Sequence, residues 1–233
     1  MPARIAVRQS GETLTERSRV LAAALAEAEW LGLGRPPDVD HQLLDLFELL
    51  ARHTRAVSLR ELADRHRRAY AAARGRYGVL AVIEGDQVMI APVSGDHLAG
   101  ELLSLLSPLP SGPGRTVSLP SSAFQAAMQA QSSTGDSAET RRILRQAGVH
   151  DKDADRVLTI SREAIGSGSI GVHKRERERV KLIGSLSYID TRHGRYALVE
   201  RNDTSGRSYT NLMPVDIGGL RQRLQERLGT DAP

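Results

Sequence analysis

The sequence predicts an α+β fold in which two related halves share an antiparallel β-sheet. This prediction rests on a run of hairpin-like strands, on a Pro-Val ending that occurs twice, and on a Pro/Gly-rich segment between the halves. The clearest strands lie within residues 184–228, where Asn, Asp and Gly separate short β-rich runs. Because these residues tolerate the positive φ of tight turns, the region predicts antiparallel hairpins followed by a helix.

The end of this hairpin region has a counterpart earlier in the chain. Pro92-Val93 and Pro214-Val215 lie 122 residues apart, and leucines at helical spacing follow each pair. The matching leucines are Leu98, Leu102 and Leu106, and Leu220, Leu224 and Leu228. We interpret residues 1–233 as a single domain built of two pseudo-repeat halves, about 1–107 and 115–233, joined by the linker 107–114. Two halves with separate sheets would each leave strand edges unpaired, whereas one shared sheet pairs these edges.

The first half reads as a strand over residues 3–8, two helices, and then further strands. Thr13 and Glu16 form a capping box for the first helix, whose inward face carries Leu21, Leu25, Ala28 and Leu31. Asp40 opens the second helix, and we expect the two to pack as a helical hairpin. The inward face of the second helix is predicted to hold Leu43, Phe47, Leu50 and Ala51. Strands are predicted over residues 57–62, 68–73, 79–83 and 88–91, before the leucine helix.

The second half follows the same order of helices, strands and a closing helix. Ser121 or Ser122 opens one helix, and Asp136 with Glu139 forms a capping box for another. A third helix is predicted over about 151–165, and Asp216 caps the last.

Composition restricts the classes of function that are open to this chain. The chain has 233 residues, of which 40% are hydrophobic, and its formal charge is +4. It contains no cysteine, which excludes disulfides, thiolate metal sites and a cysteine nucleophile and fits a reducing compartment. No stretch approaches the roughly 18 to 20 apolar residues of a membrane span. The N-terminus lacks a signal-peptide pattern, so a cytoplasmic location is expected.

Two motifs resemble ligand sites, but their surroundings do not fit. Residues 166–171 have the spacing G-x-G-x-x-G, yet a helix precedes them and a strand follows, the reverse of a dinucleotide site. We interpret them as a flexible helix-to-strand turn. Asp151, Asp153 and Asp155 begin like a calcium loop, but Arg156 and Arg162 occupy the positions of its glycine and glutamate. Helix capping is the better interpretation.

The stretch 173–181 is strongly basic. On one strand it would place His173, Arg175, Arg177, Arg179 and Lys181 on the same face. Such a stripe could follow phosphates, so a basic nucleic-acid-binding protein stays open as an alternative function. Interleaved glutamates and the lack of stacking aromatics favour a solvated or partner-facing strand.

No catalytic pattern emerges from the remaining residues. The seven histidines are scattered, and no nucleophile elbow or P-loop occurs. We therefore predict no catalytic residues, no cofactor and no metal. An enzyme of unrecognised type ranks last among the alternatives.

Several segments carry motifs of a known family. Tyr188 to Thr191 with Gly194-Arg195-Tyr196 is similar to a "DTxxGRY" strand pair, and residues 212–216 lead into the last helix. Residues 114–120 resemble a "PGRSVS" linker, and residues 166–172 a Gly-rich entry to a C-terminal sheet. Over nearly the whole chain these segments resemble the EspG family of ESX secretion-associated proteins in actinobacterial type VII secretion.

The resemblance implies a central antiparallel β-sheet flanked by helical bundles, with quasi-twofold related halves. It also implies a cytosolic specificity chaperone that covers the hydrophobic tip of a secreted PE-PPE-like protein before export. The loop between the first two strands of the sheet is shorter than in mycobacterial members, which leaves another secreted helical hairpin as an alternative cargo. No small-molecule substrate, membrane insertion or nucleic acid is expected, and the protein is expected to be a monomer or a weak homodimer.

From the resemblance and the charge pattern we predict a surface for the partner. Phe124 and Met128 have a competing interpretation as ordinary core residues. The predicted residues are Ala63, Asp64, Arg65, His66 and Arg67 in the loop, Arg175, Arg177 and Arg179 on the basic strand, and Phe124 and Met128 on a helix.

Overall fold

The computed structural model describes residues 13–62 and 66–229, so the predicted strand over 3–8 lies outside the described part. The helices are α1 Leu14–Trp30, α2 His41–Arg52, α3 Leu98–Leu103, α4 Ser121–Thr134, α5 Ser137–Gln146, α6 Asp151–Arg162 and α7 Ile217–Leu228. The strands are β1 Gly34–Arg35, β2 Asp38–Val39, β3 Arg55–Glu61, β4 Arg68–Arg74, β5 Tyr77–Glu84, β6 Gln87–Ser94, β7 Val117–Pro120, β8 Ala164–Glu176, β9 Arg179–Thr191, β10 Gly194–Asn202 and β11 Ser208–Pro214.

One antiparallel sheet joins the two halves. Within the described residues it holds nine strands in the order β6-β5-β4-β3-β8-β9-β10-β11-β7, while β1 and β2 form a separate small sheet. The first half runs outward from β3 through β4, β5 and β6, and the chain then continues in α3. The second half runs outward from β8 through β9, β10 and β11, and the chain then continues in α7. Counted outward from the centre, each half therefore has four consecutive strands, which are followed in the chain by a helix. This arrangement confirms the predicted α+β fold with a central antiparallel sheet and quasi-twofold halves.

The repeated leucines meet on one face of the sheet. Leu98, Leu102 and Leu106 of the first half are buried in the same apolar cluster as Leu220 and Leu224 of the second. Strand residues such as Val57 and Ile170 complete this cluster. Because the two leucine helices cover the central strands together, they form a single layer across both halves.

The opposite face of the sheet is covered by two separate groups of helices. Near one edge, Leu50 of α2 packs with Tyr70 and Val79 of the neighbouring strands. Near the other edge, residues of α4, α5 and α6 pack against Tyr196 and Leu212. The strands between these two groups are therefore the part of this face that the helices leave open.

The first helix begins where the sequence predicts, but it does not pack as predicted. Its capping box forms as expected, because Thr13 and Glu16 each bind the other's backbone amide. However, no residue of this helix is buried within the described structure, so the predicted packing of α1 and α2 as a helical hairpin is wrong. In α2, Leu46 and Leu49 face the sheet, whereas Phe47 is 39% exposed.

Two further predictions require correction. Helix α6 ends at Arg162 and β8 begins at Ala164, so the Gly-rich stretch lies inside a strand and is not a flexible turn. The reason is packing: a Cβ on Gly168 would lie 2.5 Å from the hydroxyl oxygen of the buried Tyr188. Asp136 caps α5 as expected, but the Glu139 carboxylate binds Arg142 at 2.6 Å instead of completing a capping box.

Candidate partner-binding surface

The residues predicted to bind a partner fall in separate places. His66 and Arg67 lie in the loop between β3 and β4, whereas Arg177 lies at the tip of the β8–β9 hairpin. Glu61 at one end of β3 pairs with Gly168, and Arg55 at the other end pairs with Lys174. The loop and the tip are therefore at opposite ends of the central strands. They are about 30 Å apart, because Gly168 and Arg177 are separated by nine residue steps of about 3.3 Å each. Ala63, Asp64 and Arg65 lie outside the described residues.

The basic stretch 173–181 does not form one strand. The chain reverses at Arg177 and Glu178, Arg177 has a φ of 54°, and Glu176 pairs with Arg179 across the hairpin. The predicted cationic stripe is therefore wrong, and with it the geometry for following phosphates along a strand. The sequence concealed this turn because neither turn residue is Gly, Asn or Asp, the residues that usually adopt positive φ.

Two of the predicted arginines bind groups inside the protein. Arg175 donates to the carbonyl oxygens of Ala51 at 2.6 Å and His53 at 2.7 Å, and so satisfies the C-terminal end of α2. Arg67 donates to Glu84 at 2.9 Å and lies 3.4 Å from Glu61. Both side chains thus hold elements together, while the neighbouring His66 is exposed.

The carboxyl group beside Arg67 is partly buried. Burial raises the pKa of Glu61, and the charge of Arg67 opposes this shift. The Tyr188 hydroxyl donates to Glu61 over 3.4 Å, and burial raises the pKa of Tyr188. This network ties the loop end of the central strands together.

Phe124 and Met128 are half-buried on α4. Both pack against the cluster that contains Ala127, Leu144 and Leu212. Their position agrees with the interpretation as core residues, and only the outer part of each side chain is accessible to a partner.

The strands between the two groups of helices form an exposed surface that the sequence did not reveal. It consists of outward-facing residues of β3, β8 and β9 that are exposed or half-buried, which we call the open strip: Arg60, Ser169, Leu182, Ser185 and Ser187. Arg60 pairs with Ser169, and Ser169 pairs with Ser187, so the strip continues across the strands. Three strands at 4.8 Å spacing give it a width of about 14 Å.

Small side chains give the open strip a flat floor. Gly171 lies in its middle, where a Cβ would come within 2.8 Å of the Ser58 hydroxyl oxygen. That hydroxyl is 2.9 Å from Nε2 of the buried His173. The strip runs from the His66 loop at one end to the Arg177 tip at the other, so it lies between two of the predicted binding regions.

The "DTxxGRY" segment has a structural role. The buried Arg195 donates to both carboxylate oxygens of Asp190, at 2.6 and 2.8 Å, and to the Ser107 carbonyl at 3.1 Å. Its backbone also bonds to Pro110 and Gly112 of the linker. The motif therefore fastens the linker to the second half.

The aspartates of the calcium-like motif bind arginines. Asp151 pairs with Arg145, Asp155 with Arg141, and Asp153 accepts from Arg115 at 2.8 Å. His150 is the N-cap of α6, so these aspartates do not cap the helix as predicted.

The described residues form neither a metal site nor a membrane-spanning helix. Within residues 13–62 and 66–229, no group of three His, Asp or Glu side chains is arranged to hold a metal ion. None of the helices described has the length and apolar character needed to cross a bilayer.

Comparison with known proteins identifies the family. A profile of the EspG family matches residues 1–226. The chain belongs to the EspG family. This EspG-family chain is also similar to a solved structure, the Mycobacterium tuberculosis type VII secretion system chaperone EspG5 in complex with a PE25-PPE41 dimer. The TM-score is 0.66 at 16% sequence identity, over 91% of this chain and 86% of the other, which shows a shared fold. A comparison with curated protein sequences finds no match.

Proposed function

We propose that this EspG-family protein is a specificity chaperone of a type VII secretion system and binds a secreted PE-PPE-like helical pair. The observation that carries the proposal is the open strip between two groups of helices. Family membership and the EspG5 structure, which contains a PE25-PPE41 dimer, support the choice of partner.

The dimensions of the strip fit a helical partner. An α-helix with its side chains is about 10 to 12 Å across, and the strip is about 14 Å wide. The serines along the strip allow a helix to approach the sheet closely. Leu182, which is 49% exposed, and Ile183, which is 44% exposed, supply apolar contact area beside them.

Polar and charged groups at the two ends of the strip complete the proposed surface. Arg177 and Arg179 lie at one end and the loop that contains His66 at the other. A floor of serine and aliphatic side chains with a polar rim lets the hydrophobic tip of a partner approach closely and be covered. In this proposal the protein keeps that tip soluble in the cytoplasm until the secretion machinery takes the cargo.

The first experiment identifies the cargo. The full-length protein serves as bait in a pull-down from a lysate of the organism that encodes it, and the bound proteins are identified by mass spectrometry. We expect a stoichiometric pair of small helical secreted proteins. Recovery of nucleic acid alone would contradict the proposal.

Binding of the recovered pair then tests the position of the site. Ser187→Arg places a long side chain in the open strip, and we expect it to weaken the affinity at least about tenfold, or 1.4 kcal/mol. Ser118→Arg is the matched control, because Ser118 is also an exposed serine on a strand but lies on β7, at the sheet edge. Isothermal titration calorimetry measures the affinity, and thermal unfolding confirms that both variants keep the wild-type stability. Equal binding by the two variants would remove the strip from the site.

A further inference from the structure

Two arginines lie directly opposite each other on neighbouring strands, at the loop end of the open strip. Arg60 of β3 pairs with Arg68 of β4, so their side chains leave the sheet on the same face. Arg60 is exposed and Arg68 is half-buried. Like charges placed directly opposite one another destabilise an antiparallel sheet. These two residues, which we call the arginine pair, therefore weaken the pairing of the two strands that carry them.

No acidic side chain of the described residues compensates the arginine pair. Within this part of the chain neither guanidinium forms a hydrogen bond or an ion pair. Glu61 and Glu84 are close in the sheet, but side chains alternate along a strand, so both point to the opposite face. There Arg67 lies 3.4 Å from Glu61 and 2.9 Å from Glu84. The acids at this end of the sheet are thus already engaged by a different arginine.

The arginine pair lines a cavity of about 650 Å³ that borders the open strip. Ser169, which belongs to the strip, lines the same cavity. Apolar side chains complete the lining, among them Leu62, which is 55% exposed, and the buried Ile83. The cavity therefore offers two guanidinium groups beside apolar surface. Because the planar guanidinium fork matches a carboxylate, this combination fits an acidic side chain with apolar neighbours.

We propose that the arginine pair binds the carboxylate of an Asp or Glu side chain on the helical cargo that lies in the open strip. This inference rests on the proposed function and adds the chemistry by which a cargo is selected. A cargo without an acid at this place would cover two positive charges without compensating them. Such uncompensated charge discriminates against a wrong partner more strongly than apolar contact does.

The order of the strands places the arginine pair beside a helix in the strip. Arg60 pairs with Ser169, and Ser169 pairs with Ser187. Neighbouring strands are about 4.8 Å apart, so the backbone of Arg60 is about 5 Å and 10 Å from the backbones of the two serines. A helix above the serines therefore has the arginine pair along one side, within reach of its side chains.

A protein carboxylate fits the arginine pair better than a nucleic acid does. Binding to nucleic acid requires positive charges that follow successive phosphates. The arginine pair is a single point of positive charge, and apolar side chains border it. The adjoining strip has the width of a helix and a floor of small side chains, which suits a folded protein partner.

Calorimetric titration of the full-length protein with the helical pair recovered in the pull-down tests the inference. Arg60→Glu reverses one charge of the arginine pair, and we expect it to weaken the affinity about a hundredfold. Arg201→Glu is the matched control, because Arg201 is also an exposed arginine on a strand of this sheet. It lies on the opposite face, since Val199, two residues earlier, is buried beneath the leucine helices. This control should bind cargo as the wild type does.

Charge reversal on the cargo identifies the residue that the arginine pair binds. Each Asp and Glu of the recovered proteins is replaced by Arg in turn. We expect one of these cargo variants to bind Arg60→Glu at least about tenfold more tightly than the unchanged cargo does. Failure of every position to restore binding, or equal recovery at many positions, would show that no specific carboxylate pairs with Arg60.

The free protein gives a test that needs no cargo. Arg60→Glu places opposite charges on the paired strands, and we expect the midpoint of thermal unfolding to rise by about 1 to 3 °C. The double variant Arg60→Glu/Arg68→Glu has like charges again and should lose this gain. A lower midpoint for Arg60→Glu would show that Arg60 already has an anionic partner within its own chain, which would overturn the proposal.

The binding results separate this inference from the proposed function. A helical pair that binds Arg60→Glu as tightly as it binds the wild type leaves the proposed function standing and removes the arginine pair from it. A wild-type bait that recovers no helical pair contradicts both. Recovery of nucleic acid that is lost with Arg60→Glu would show that the arginine pair serves phosphates instead of a carboxylate.

Discussion

Arg195 connects two strands of the second half to the linker through one buried guanidinium. It bonds to Asp190 on the neighbouring strand and to the Ser107 carbonyl at the start of the linker, and its Cζ lies 5.1 Å from the centre of the Tyr188 ring. Among the described residues, its Nη1 atom is buried without a hydrogen-bond partner. The electron-rich face of Tyr188 offsets part of the cost of burying this charge.

We expect Arg195→Met to destabilise the protein by about 3 to 5 kcal/mol, because it leaves the Asp190 carboxylate buried without its partner. Urea unfolding of the full-length protein measures this change. The double variant Arg195→Met/Asp190→Leu removes both charges and should regain most of the lost stability. A double variant as unstable as Arg195→Met would show that the loss comes from packing and the linker contacts rather than from the unpaired carboxylate.

At the scale of elements, His53, which follows the last residue of α2, joins this helix to the sheet. Because a carbonyl oxygen can only accept, Nδ1 of His53 donates to Leu50 at 2.9 Å, and Nε2 then accepts from the Tyr70 hydroxyl at 3.0 Å. This arrangement fits the neutral imidazole. Burial lowers the pKa of His53, and the nearby charge of Arg175 lowers it further.

A lowered pKa of His53 in the folded state predicts a loss of stability in acid. Well above pH 6.5, His53 is neutral in both states and contributes no pH dependence. Between about pH 6.5 and the lower folded-state pKa, the unfolded chain binds a proton that the folded chain does not. The free energy of unfolding therefore falls as the pH falls, by up to about 1.4 kcal/mol per pH unit from this group.

Chemical unfolding of the wild type and of His53→Gln at pH 7.5 and pH 5 measures this contribution. We expect the wild type to lose more stability on acidification than the variant, whose side chain does not titrate. Equal losses for the two proteins would show that His53 does not cause the effect.

The sequence predicted elements whose signals are local. The caps at Thr13, Asp40 and Asp216 and the turns around Gly85 and Gly206 depend on residues a few positions apart, and they are present. The Arg177 turn was missed because its positive φ is imposed by pairing of the flanking strands rather than by the turn residue. The Gly-rich part of β8 was misread because its glycines fit Tyr188, which lies on another strand.

The open strip was also beyond local sequence patterns. Ser185 and Ser187 look like ordinary exposed strand residues, and nothing near them in the sequence indicates that helices cover the strands on either side. Their importance in the proposed site follows from the order of the strands and from where α2 and α6 pack. These are properties of the tertiary structure.

At the scale of the whole molecule, the junction between β3 and β8 joins the two halves. The two strands pair along their length, from Arg55 with Lys174 to Glu61 with Gly168. Val57, Ile170 and Val172 at this junction are buried beneath the shared leucine helices. Neither half can keep this cluster away from water without the other, which supports the prediction of a single domain.

We therefore expect the full-length chain to unfold in one cooperative transition. Hydrogen exchange measured by mass spectrometry at increasing urea follows the two halves separately, through peptides from β4–β5 and from β9–β10. Their protection should disappear at the same urea concentration, because loss of either half exposes the buried junction of the other.

The fragments 1–107 and 115–233, expressed alone, should be unfolded or aggregated for the same reason, and co-expression should rescue them as a complex. Two separate midpoints, together with a soluble and protected fragment, would contradict the single-domain prediction and show that each half folds on its own.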